Sequence, residues 1–544
     1  MTNLAPLAYD VGTGDLLYND GSGFVTIPYT GPMGPAGPTG ATGAGVVTGG
    51  TTGQILKKNS ATNYDCSWGA GGGVWVNLDD YGAAGDGTTD DSTALQNAIN
   101  AAGQQGTVYI PAKRYYINAD ITNPFGVKLI GSGGVGGNTY YDNTWFIGLK
   151  SCFLLNPSHT IKPSYAFEME NITIINSAIT SIPLNGASSF SGTAFTIGDG
   201  TLNYVDVTLR NVLILGFNKA VYAVKAPRLH LYDVHFDCVN GIEVAGAGDP
   251  VHLIRPHGWP YLSAAWGTNA ALVRNGVAYR FTGNQDATKV VGAYAVDYYQ
   301  TFYTTDSNGI SFQQCGSDAP DVSGSIGFKH DGSFGFIQQS NCQYVGTTTG
   351  LLVSSSSATG QVIVSGGYFG TNTGNDIVVS EGSLSVGGNT VFNSAVSDSI
   401  STATTTGIIL IGEVDIRENK TTGSFFLNNG PTPNYHVSDL CRVQNTAVSI
   451  MNAPSWPIPV LASAATLRLP GYGNVFYVSG TTTIGTVANL YPGRQVTLIF
   501  QGILTVTDSA GLNLAGNFVT TANDTLTLMG LSQVTAIEVS RSVN

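Results

Sequence analysis

Two pairs of side chains with chemistry suited to carbohydrate recur at a fixed spacing in the middle of this chain. His235 and Asp237 are followed 22 positions later by His257 and Trp259. A carboxyl group and an imidazole can exchange protons near neutral pH, and an indole offers an apolar face to the C–H face of a sugar ring. If the two segments lie side by side, these groups form one patch that can grip and cleave a saccharide.

More aromatic and charged residues surround this patch in the sequence. The predicted substrate-binding residues are His235, His257, Trp259, Tyr261, Trp266, Arg255 and Tyr294. An alternative interpretation is that Trp259 and Tyr261 only hold an insertion against the body of the protein.

Glycoside hydrolysis normally needs two carboxylic acids on either side of the scissile bond. Asp237 is the first candidate, with Asp297 and Glu243 as its possible partners. We expect Asp237→Asn to abolish cleavage and leave the assembly intact. The other aspartates of the region are candidates of lower rank, since aspartates in turns often cap backbone N–H groups: Asp233, Asp249, Asp286 and Asp306.

The spacing of 22 is itself a structural signal. Three segments, LRNVLILGFNKAVYA, LYDVHFDCVNGIEVA and HLIRPHGWPYLSAAW, align so that Asn211, Asp233 and Arg255 fall 22 residues apart. A period of this length is typical of one turn of a solenoid. Alternation along each strand predicts inward columns of Val212, Val234, Pro256 and of Ile214, Phe236, Gly258. The outward columns, expected to face solvent, are Leu213, His235, His257 and Leu215, Asp237, Trp259. After Trp259 the period is broken by an insertion that carries Tyr261, Trp266 and Tyr279, and it resumes near Tyr294 and Val296.

One short helix precedes the repeats. In DSTALQNAINAAG the apolar positions Ala94, Leu95, Ala98, Ile99 and Ala102 form a single stripe, with Asp91 or Ser92 as the cap and Gly103 at the end. Two β-runs follow at 107–110 and 115–117. The pattern predicts a lid over the end of a larger β-structure.

This segment resembles the opening of the pectate-lyase-like right-handed parallel β-helix superfamily, in the version found in bacteriophage tailspikes. The matching residues are Tyr81-Gly82-Ala83, Gly85-Asp86-Gly87, Asp90-Asp91, Ala94-Leu95, Ala98-Ile99 and Val108-Tyr109-Ile110-Pro111. The resemblance implies an all-β solenoid with a capping helix, aspartates that serve turns, and degradation of a bacterial capsular or O-antigen polysaccharide. It departs at Ala112-Lys113-Arg114, where the superfamily has Pro-x-Gly.

Composition fits this fold class. Glycine accounts for 71 of 544 residues, and charged residues for only 10%. A net charge of −13 without a basic cluster argues against nucleic acid or an anionic membrane as a partner. The first residues lack the pattern of a signal peptide, and no long apolar run is present. The six cysteines show no metal-ligand spacing, so we expect reduced, buried thiols, no metal and no cofactor.

The chain divides into five predicted regions. Residues 1–30 form a virion-attachment segment, which would bind a phage baseplate or tail protein, and 31–45 are a collagen-like neck with glycine at every third position. Only glycine fits where three chains meet, so the neck predicts a homotrimer. Residues 46–73 resemble tail-fibre linkers, 74–452 form the β-helix, and 453–544 form a C-terminal β-sandwich for trimerisation or glycan contact.

The sequence-based expectation is therefore a phage tailspike that hydrolyses surface polysaccharide at the host cell. Two alternatives stay open. A polysaccharide lyase would use Arg255, His257 and Lys289, and a non-catalytic fibre would only bind the glycan. An active site shared between subunits would instead use acids nearer the C-terminal end of the solenoid, namely Glu381, Glu413, Asp415 and Glu418.

Overall fold

The structure is a computed structural model. It describes 7–26 except 11 and 14, 47–70 except 52–53 and 63–64, 75–133 except 124–125, 150–179 except 164, 190–262 except 199 and 201–205, 274–417 except 320–321, 358, 395–397 and 403–406, the strand residues 424–428, 434–437, 442–443 and 449–452, and 458–543 except 471–473.

The central part of the chain is an all-β parallel solenoid, as predicted. One sheet, here called face C, has thirteen parallel strands: Ile121–Asn123, Ile161–Pro163, Thr193–Ile197, Lys219–Val224, Asn240–Ala245, Val277–Thr282, Gln300–Thr304, Ile326–His330, Thr349–Ser354, Ile377–Glu381, Asp398–Thr402, Ser424–Asn428 and Ser449–Asn452. A second sheet has twenty-four strands: Trp75–Asn77, Asp86–Asp90, Gly106–Ile110, Arg114–Ile117, Val127–Gly131, Cys152–Leu155, Glu168–Glu170, Thr173–Asn176, Thr208–Leu215, His230–Asp237, His252–Ile254, His257–Gly258, Thr288–Val291, Tyr294–Val296, Ser307–Gln313, Gly316–Asp318, Gly335–Val345, Gly360–Gly370, Ser383–Gly387, Thr390–Asn393, Ile408–Ile411, Val414–Ile416, Asn434–Val437 and Arg442–Val443.

A backbone bend divides this larger sheet into two faces. In successive turns the bend residue has a left-handed φ: 52° at Asn211, 51° at Asp233, 52° at Arg255 and 63° at Gly292. Residues before the bend, such as 208–210 and 230–232, form face A, and residues after it, such as 212–215, 234–237, 257–258 and 294–296, form face B. The predicted 22-residue stacking is confirmed, because Val212 pairs with Val234 and the Arg255 guanidinium donates to Asp233 at 2.7 and 2.8 Å.

The capping helix also forms as predicted. It spans Ser92–Ala102, with Asp91 at its N-cap position and Gly103 after its last residue. All five residues of the apolar stripe are buried. The Asp91 carboxylate accepts from the backbone N–H groups of Ala84 and Gly85, and Asp90 accepts from that of Ser92, so these aspartates order turns. A 3₁₀ helix at Leu78–Tyr81 precedes it.

The predicted inward columns lie in the core, but the outward columns need a correction. Val212, Val234, Ile214 and Phe236 are fully buried in the solenoid. Three residues expected at the surface are buried as well: Leu213, Leu215 and Asp237. They do point outward, yet a satellite hydrophobic cluster that includes Ile179, Phe190 and Leu262 covers them.

The insertion is shorter than predicted. Val277–Thr282 is a regular strand of face C, and Tyr279 within it is a core residue rather than part of the insertion. Its hydroxyl donates to the carbonyls of Pro256 and Tyr294 at 3.0 and 2.9 Å. The insertion was predicted too long because the irregular sequence after Trp259 hides the return of the strand period at Val277.

Residues 1–71 form a separate compact unit. It contains a three-stranded antiparallel sheet of Leu7–Tyr9, Leu16–Asn19 and Phe24–Thr26, and a hairpin of Gln54–Lys58 and Cys66–Ala70. The collagen-like repeat at 31–45 lies outside the described residues, so the neck and the trimer stay predictions.

Near the C-terminus a smaller β-structure has its own apolar core. Its six-stranded sheet has the order Val460–Ala462, Val475–Ser479, Gln495–Phe500, Thr525–Gly530, Ala536–Ser542, Leu512–Asn513, and two pairs accompany it: Thr466–Arg468 with Thr486–Ala488, and Thr505–Val506 with Phe518–Val519. The first three strands of this order are parallel, and Leu512–Asn513 also pairs parallel with Ala536–Ser542. Only Thr525–Gly530 pairs antiparallel with its two neighbours, as hairpin-like alternation predicts. The sandwich stays a prediction.

The described cysteines are free, as expected, and four of them are buried: Cys152, Cys238, Cys315 and Cys342. Cys66 is only partly buried. Neither described helix is long and apolar enough to cross a bilayer.

The bend at Asn211 yields the first testable prediction. Its side-chain amide donates to Asn171 at 2.6 Å, and both Asn211→Ala and Asn211→Gly remove that hydrogen bond. Glycine adopts a left-handed φ without strain, whereas in alanine this φ lowers the free energy of unfolding by about 1 kcal/mol or more. We expect the alanine variant to unfold at lower urea than the glycine variant. Equal midpoints would show that the bend is not held in this conformation.

Candidate functional site

Stacking places three predicted binding residues in one column on face B. His235 pairs in register with His257, and His257 with Tyr294. Their rings meet edge to face, with centroids 5.9 Å apart in the first pair and 5.7 Å in the second. The next position is Gly316, where a Cβ would lie 2.6 Å from two Tyr294 ring atoms. Glycine thus gives the Tyr294 ring room to lie across the following turn.

Trp259 and Tyr261 flank this column from the start of the insertion. The Trp259 ring lies 5.4 Å from that of His257 and is 41% exposed. The Tyr261 ring stacks on His235 at 6.0 Å, and its hydroxyl lies 2.7 Å from Nδ1 of that histidine. Tyr261 therefore holds the insertion, as the structural alternative predicted, whereas Trp259 leaves much of its indole open to a ligand.

Burial keeps this patch uncharged near neutral pH. Desolvation, and secondly the neighbouring His235, lowers the pKa of His257 to about 4. Desolvation likewise lowers the pKa of His235 and raises the pKa of Tyr261 and of Tyr294. Neutral imidazoles and phenols can each donate and accept hydrogen bonds, which suits sugar hydroxyls.

Asp237, the first catalytic candidate, is not accessible. Its side chain is fully buried beneath the insertion, and one oxygen accepts from the Leu262 backbone N–H at 2.7 Å. Its other oxygen lies 3.3 Å from Nη1 of Arg274, which is also fully buried. The expectation of a solvent-facing Asp237 is therefore wrong, because the Leu262 backbone and the buried Arg274 side chain both contact its carboxylate.

Asp297 lies near Asp237 because both carboxylates contact the same arginine, Arg274. Its carboxylate lies 3.9 Å from Nη2 of Arg274, and 11% of its side chain is exposed. Glu243 is not part of this group: it lies on face C, where Lys219 binds its carboxylate at 2.6 Å. The three predicted catalytic carboxyls thus lie on two different faces.

The remaining predicted residues are scattered. Arg255 is exposed on the bend and tied to Asp233, and Lys289 pairs in register with His252 on face A. Asp415 is mostly buried and bound to Arg417. Trp266 and Glu418 lie outside the described residues. The lyase set of Arg255, His257 and Lys289 is therefore not gathered on one face.

Two further residues of face B, Asp318 and Gln343, were not predicted from the sequence. Asp318 pairs with Val296 and is partly exposed, and Gln343 pairs with Gly316 and is exposed. Asp318 could have been predicted from the repeat, since it lies 22 positions after Val296 in the column of Asp237 and Trp259. Arg274 was also missed, because no repeat position marks it.

Comparison with known proteins gives one match to a family and several distant structural likenesses. The family described as rhamnogalacturonase A/epimerase, pectate lyase-like, matches residues 75–147. No curated protein matches this chain.

Three solved structures illustrate the likenesses. DFA-IIIase from Arthrobacter chlorophenolicus A6 is 10% identical, with a TM-score of 0.40, over 70% of this chain and 99% of that one. The A-module of the mannuronan C-5 epimerase AlgE4 from Azotobacter vinelandii is 16% identical, with a TM-score of 0.32, over 67% and 100%. The pre-mature gene product 12 of bacteriophage phi29 is 13% identical, with a TM-score of 0.34, over 75% and 62%. Likenesses of this size do not carry function from one chain to another.

The buried arginine yields a second prediction. Arg274→Met leaves the carboxylates of Asp237 and Asp297 without its charge, and breaking a buried ion pair in this way typically costs about 3–5 kcal/mol. We expect a lower urea midpoint for this variant and partial recovery when Asp237→Asn and Asp297→Asn are added. No recovery in the triple variant would contradict this account of the pairing.

A third prediction concerns pH. Folding lowers the pKa of His257 from the ordinary 6.5 to about 4, so between these values the unfolded chain binds the extra proton. The free energy of unfolding should therefore fall as the pH drops from about 6.5 towards 4. His257→Phe should reduce that slope in urea titrations at several pH values, and an unchanged slope would contradict the prediction.

Proposed function

We propose that face B binds a bacterial capsular or O-antigen polysaccharide and that the protein hydrolyses glycosidic bonds within it. The observation that carries this proposal is the row of His235, His257 and Tyr294 beside the exposed indole of Trp259. It is continuous with the partly exposed carboxyl of Asp318.

The geometry of the row fits an extended saccharide. Neighbouring turns of a parallel sheet lie about 4.8 Å apart, so the rings are held in a fixed series without rearrangement of a loop. Aromatic faces cover the C–H faces of sugars, and the neutral ring nitrogens and phenols bind hydroxyls. Because strands rather than loops position these groups, little ordering entropy is lost when a ligand binds.

Hydrolysis requires one group that protonates the glycosidic oxygen and one that activates water or attacks the sugar. We assign Asp318 to this chemistry because the residue is partly exposed and pairs with Val296, next to the strand position of Tyr294 in the aromatic row. Asp297, whose backbone N–H donates to the Asp318 carbonyl at 2.7 Å, is the second carboxyl, and a small part of its side chain reaches solvent. Asp237 takes no part in this scheme, since it is sealed beneath the insertion.

The biological setting we propose is a homotrimeric phage tailspike on the virion, which acts at the surface of the host cell. The Gly-X-Y repeat at 31–45 supports three chains, because glycine at every third position is what a triple helix demands. The N-terminal segment would bind the phage baseplate or tail. The tailspike resemblance of residues 77–117 supports the same setting.

A second candidate function is a non-catalytic fibre that only binds the glycan. The burial of Asp237 and the near-burial of Asp297 around Arg274 favour it, because two acids held by one buried cation stabilise structure rather than exchange protons with a substrate. Under this alternative Trp259 and the aromatic row still bind saccharide.

The fourth prediction separates these functions. Purified protein is incubated with a panel of capsular and O-antigen polysaccharides, and the release of reducing ends is measured. We expect release from at least one of them, a loss of about 100-fold or more in Asp318→Asn, and a raised KM in Trp259→Ala.

The matched control is Asp286→Asn, an exposed carboxylate outside face B, which should retain full activity. Full activity in Asp318→Asn would overturn the assigned acid. Glycan binding that depends on Trp259, without release of reducing ends from any polysaccharide, would favour the non-catalytic fibre. Products with unsaturated ends would instead show a lyase.

A further inference from the structure

A second surface with features of a ligand site lies on another part of the solenoid. A depression of about 220 Å³ is lined by side chains from three successive turns: Ser307, Phe334, Gly335, Phe336, Thr359 and Gln361. Phe334 and Phe336 are 37% and 39% exposed. These six residues are called the Phe336 groove below.

The groove exists because the strands are irregular here. The strand Ser307–Gln313 shifts its register against Gly335–Val345 between Ser307 and Ile310. Such a bulge displaces the backbone locally and leaves space beside it. In the next turn Phe336 pairs with Gln361 and Gly335 with Gly360, so the bottom of the groove is bounded by regular, stacked backbone.

The floor of the groove is rigid. His330 lies directly beneath it, and a Cβ on Gly335 would approach its ring to 2.5 Å. The Nδ1 atom of His330 lies 3.0 Å from the Thr304 hydroxyl, and the whole side chain is buried. Only glycine at position 335 leaves room for the His330 ring. The floor of the groove is therefore tightly packed and does not move when a ligand binds.

The lining is uncharged and partly apolar. Ser307 is fully buried and its hydroxyl donates to the Thr305 carbonyl, and the Thr359 hydroxyl donates to the Ser333 carbonyl. The Gln361 amide lines the groove on a partly exposed residue. Two exposed phenyl rings beside a partly exposed amide form a combination that binds a sugar ring, since rings cover C–H faces and amides bind hydroxyls. A volume of about 220 Å³ lies below the range of pockets for drug-sized ligands, which suits a single monosaccharide unit.

We propose that the Phe336 groove is a second, non-catalytic saccharide subsite, which takes one uncharged hexose unit of a glycan. This inference rests on the proposed function only for the class of ligand, since the groove shares no residue with face B. Phe336 supplies the stacking surface, and Gln361 supplies hydrogen bonds to ring hydroxyls. The absence of charge from the lining excludes a carboxylate or phosphate as the group that is recognised here.

The test measures binding without turnover. Asp318→Asn protein is applied to an array printed with capsular and O-antigen polysaccharides, and the same background is then combined with Phe336→Ala. We expect at least tenfold weaker binding to one or more polysaccharides when the ring is removed. Phe336→Tyr, which keeps an aromatic face, should retain binding. A urea midpoint of Phe336→Ala close to that of the parent protein shows that its loss of binding is not a failure to fold.

The matched control is Tyr165→Ala, which removes a ring that is 51% exposed near the N-terminal end of the solenoid and should leave binding unchanged. Unchanged binding in Phe336→Ala overturns the subsite, and so does an array on which no polysaccharide is bound through Phe336. A fall in molar mass by light scattering, with binding unchanged, would assign the groove to a second copy of this chain. Array binding through Phe336, together with no release of reducing ends by the unmutated protein from any polysaccharide, would support the subsite and refute hydrolysis.

Discussion

The left-handed bend that recurs once per turn is the constraint on which the face B site depends. Because Asn211, Asp233 and Arg255 all adopt it, each turn changes direction at the same point. Residues two positions after the bend then face outward in every turn, which stacks Leu213, His235 and His257. Asparagine, aspartate and glycine tolerate this conformation, and an arginine pays for it with a bidentate ion pair to the turn before. A slip of one residue at any bend would turn the aromatic row into the core.

The repeat could be predicted from sequence because it follows from backbone geometry alone. Fixed periods underlie the 22-residue spacing, the inward columns and the capping helix. Apolar residues at the inward positions of these periods, such as Phe236 and Ile99, are therefore buried. Accessibility could not be predicted in this way. Periodicity says that Asp237 points away from the solenoid axis, but not that Leu262 and Arg274 arrive from outside the repeat to cover it. Register alone could have found Asp318, whereas Arg274 has no periodic position.

Arg274 decides between two interpretations of the predicted catalytic pair, Asp237 and Asp297. Two carboxylates two turns apart, near aromatic residues, match both an active site and an anchor for an insertion. In this fold the guanidinium lies between them without access to solvent, and such a group is costly to bury unless both partners stay. The anchor matters to the site indirectly, because the chain segment it secures begins with Trp259 and Tyr261. The ion pair of Arg274 with Asp237 can therefore help to fix the position of the exposed Trp259 indole.

A glycan polymer can contact face B and the Phe336 groove at the same time, whereas a small ligand can occupy only one of them. Each contact with a single sugar unit is weak, since one aromatic contact contributes only about 1 kcal/mol beyond its buried area. When one glycan chain occupies face B, its neighbouring units reach the Phe336 groove at a high effective concentration, provided that the chain can span the two. The combined affinity then exceeds that of either surface without any new contact. A rigid solenoid favours this arrangement, because stacked strands fix both surfaces before the glycan arrives, so that binding requires no ordering of the protein.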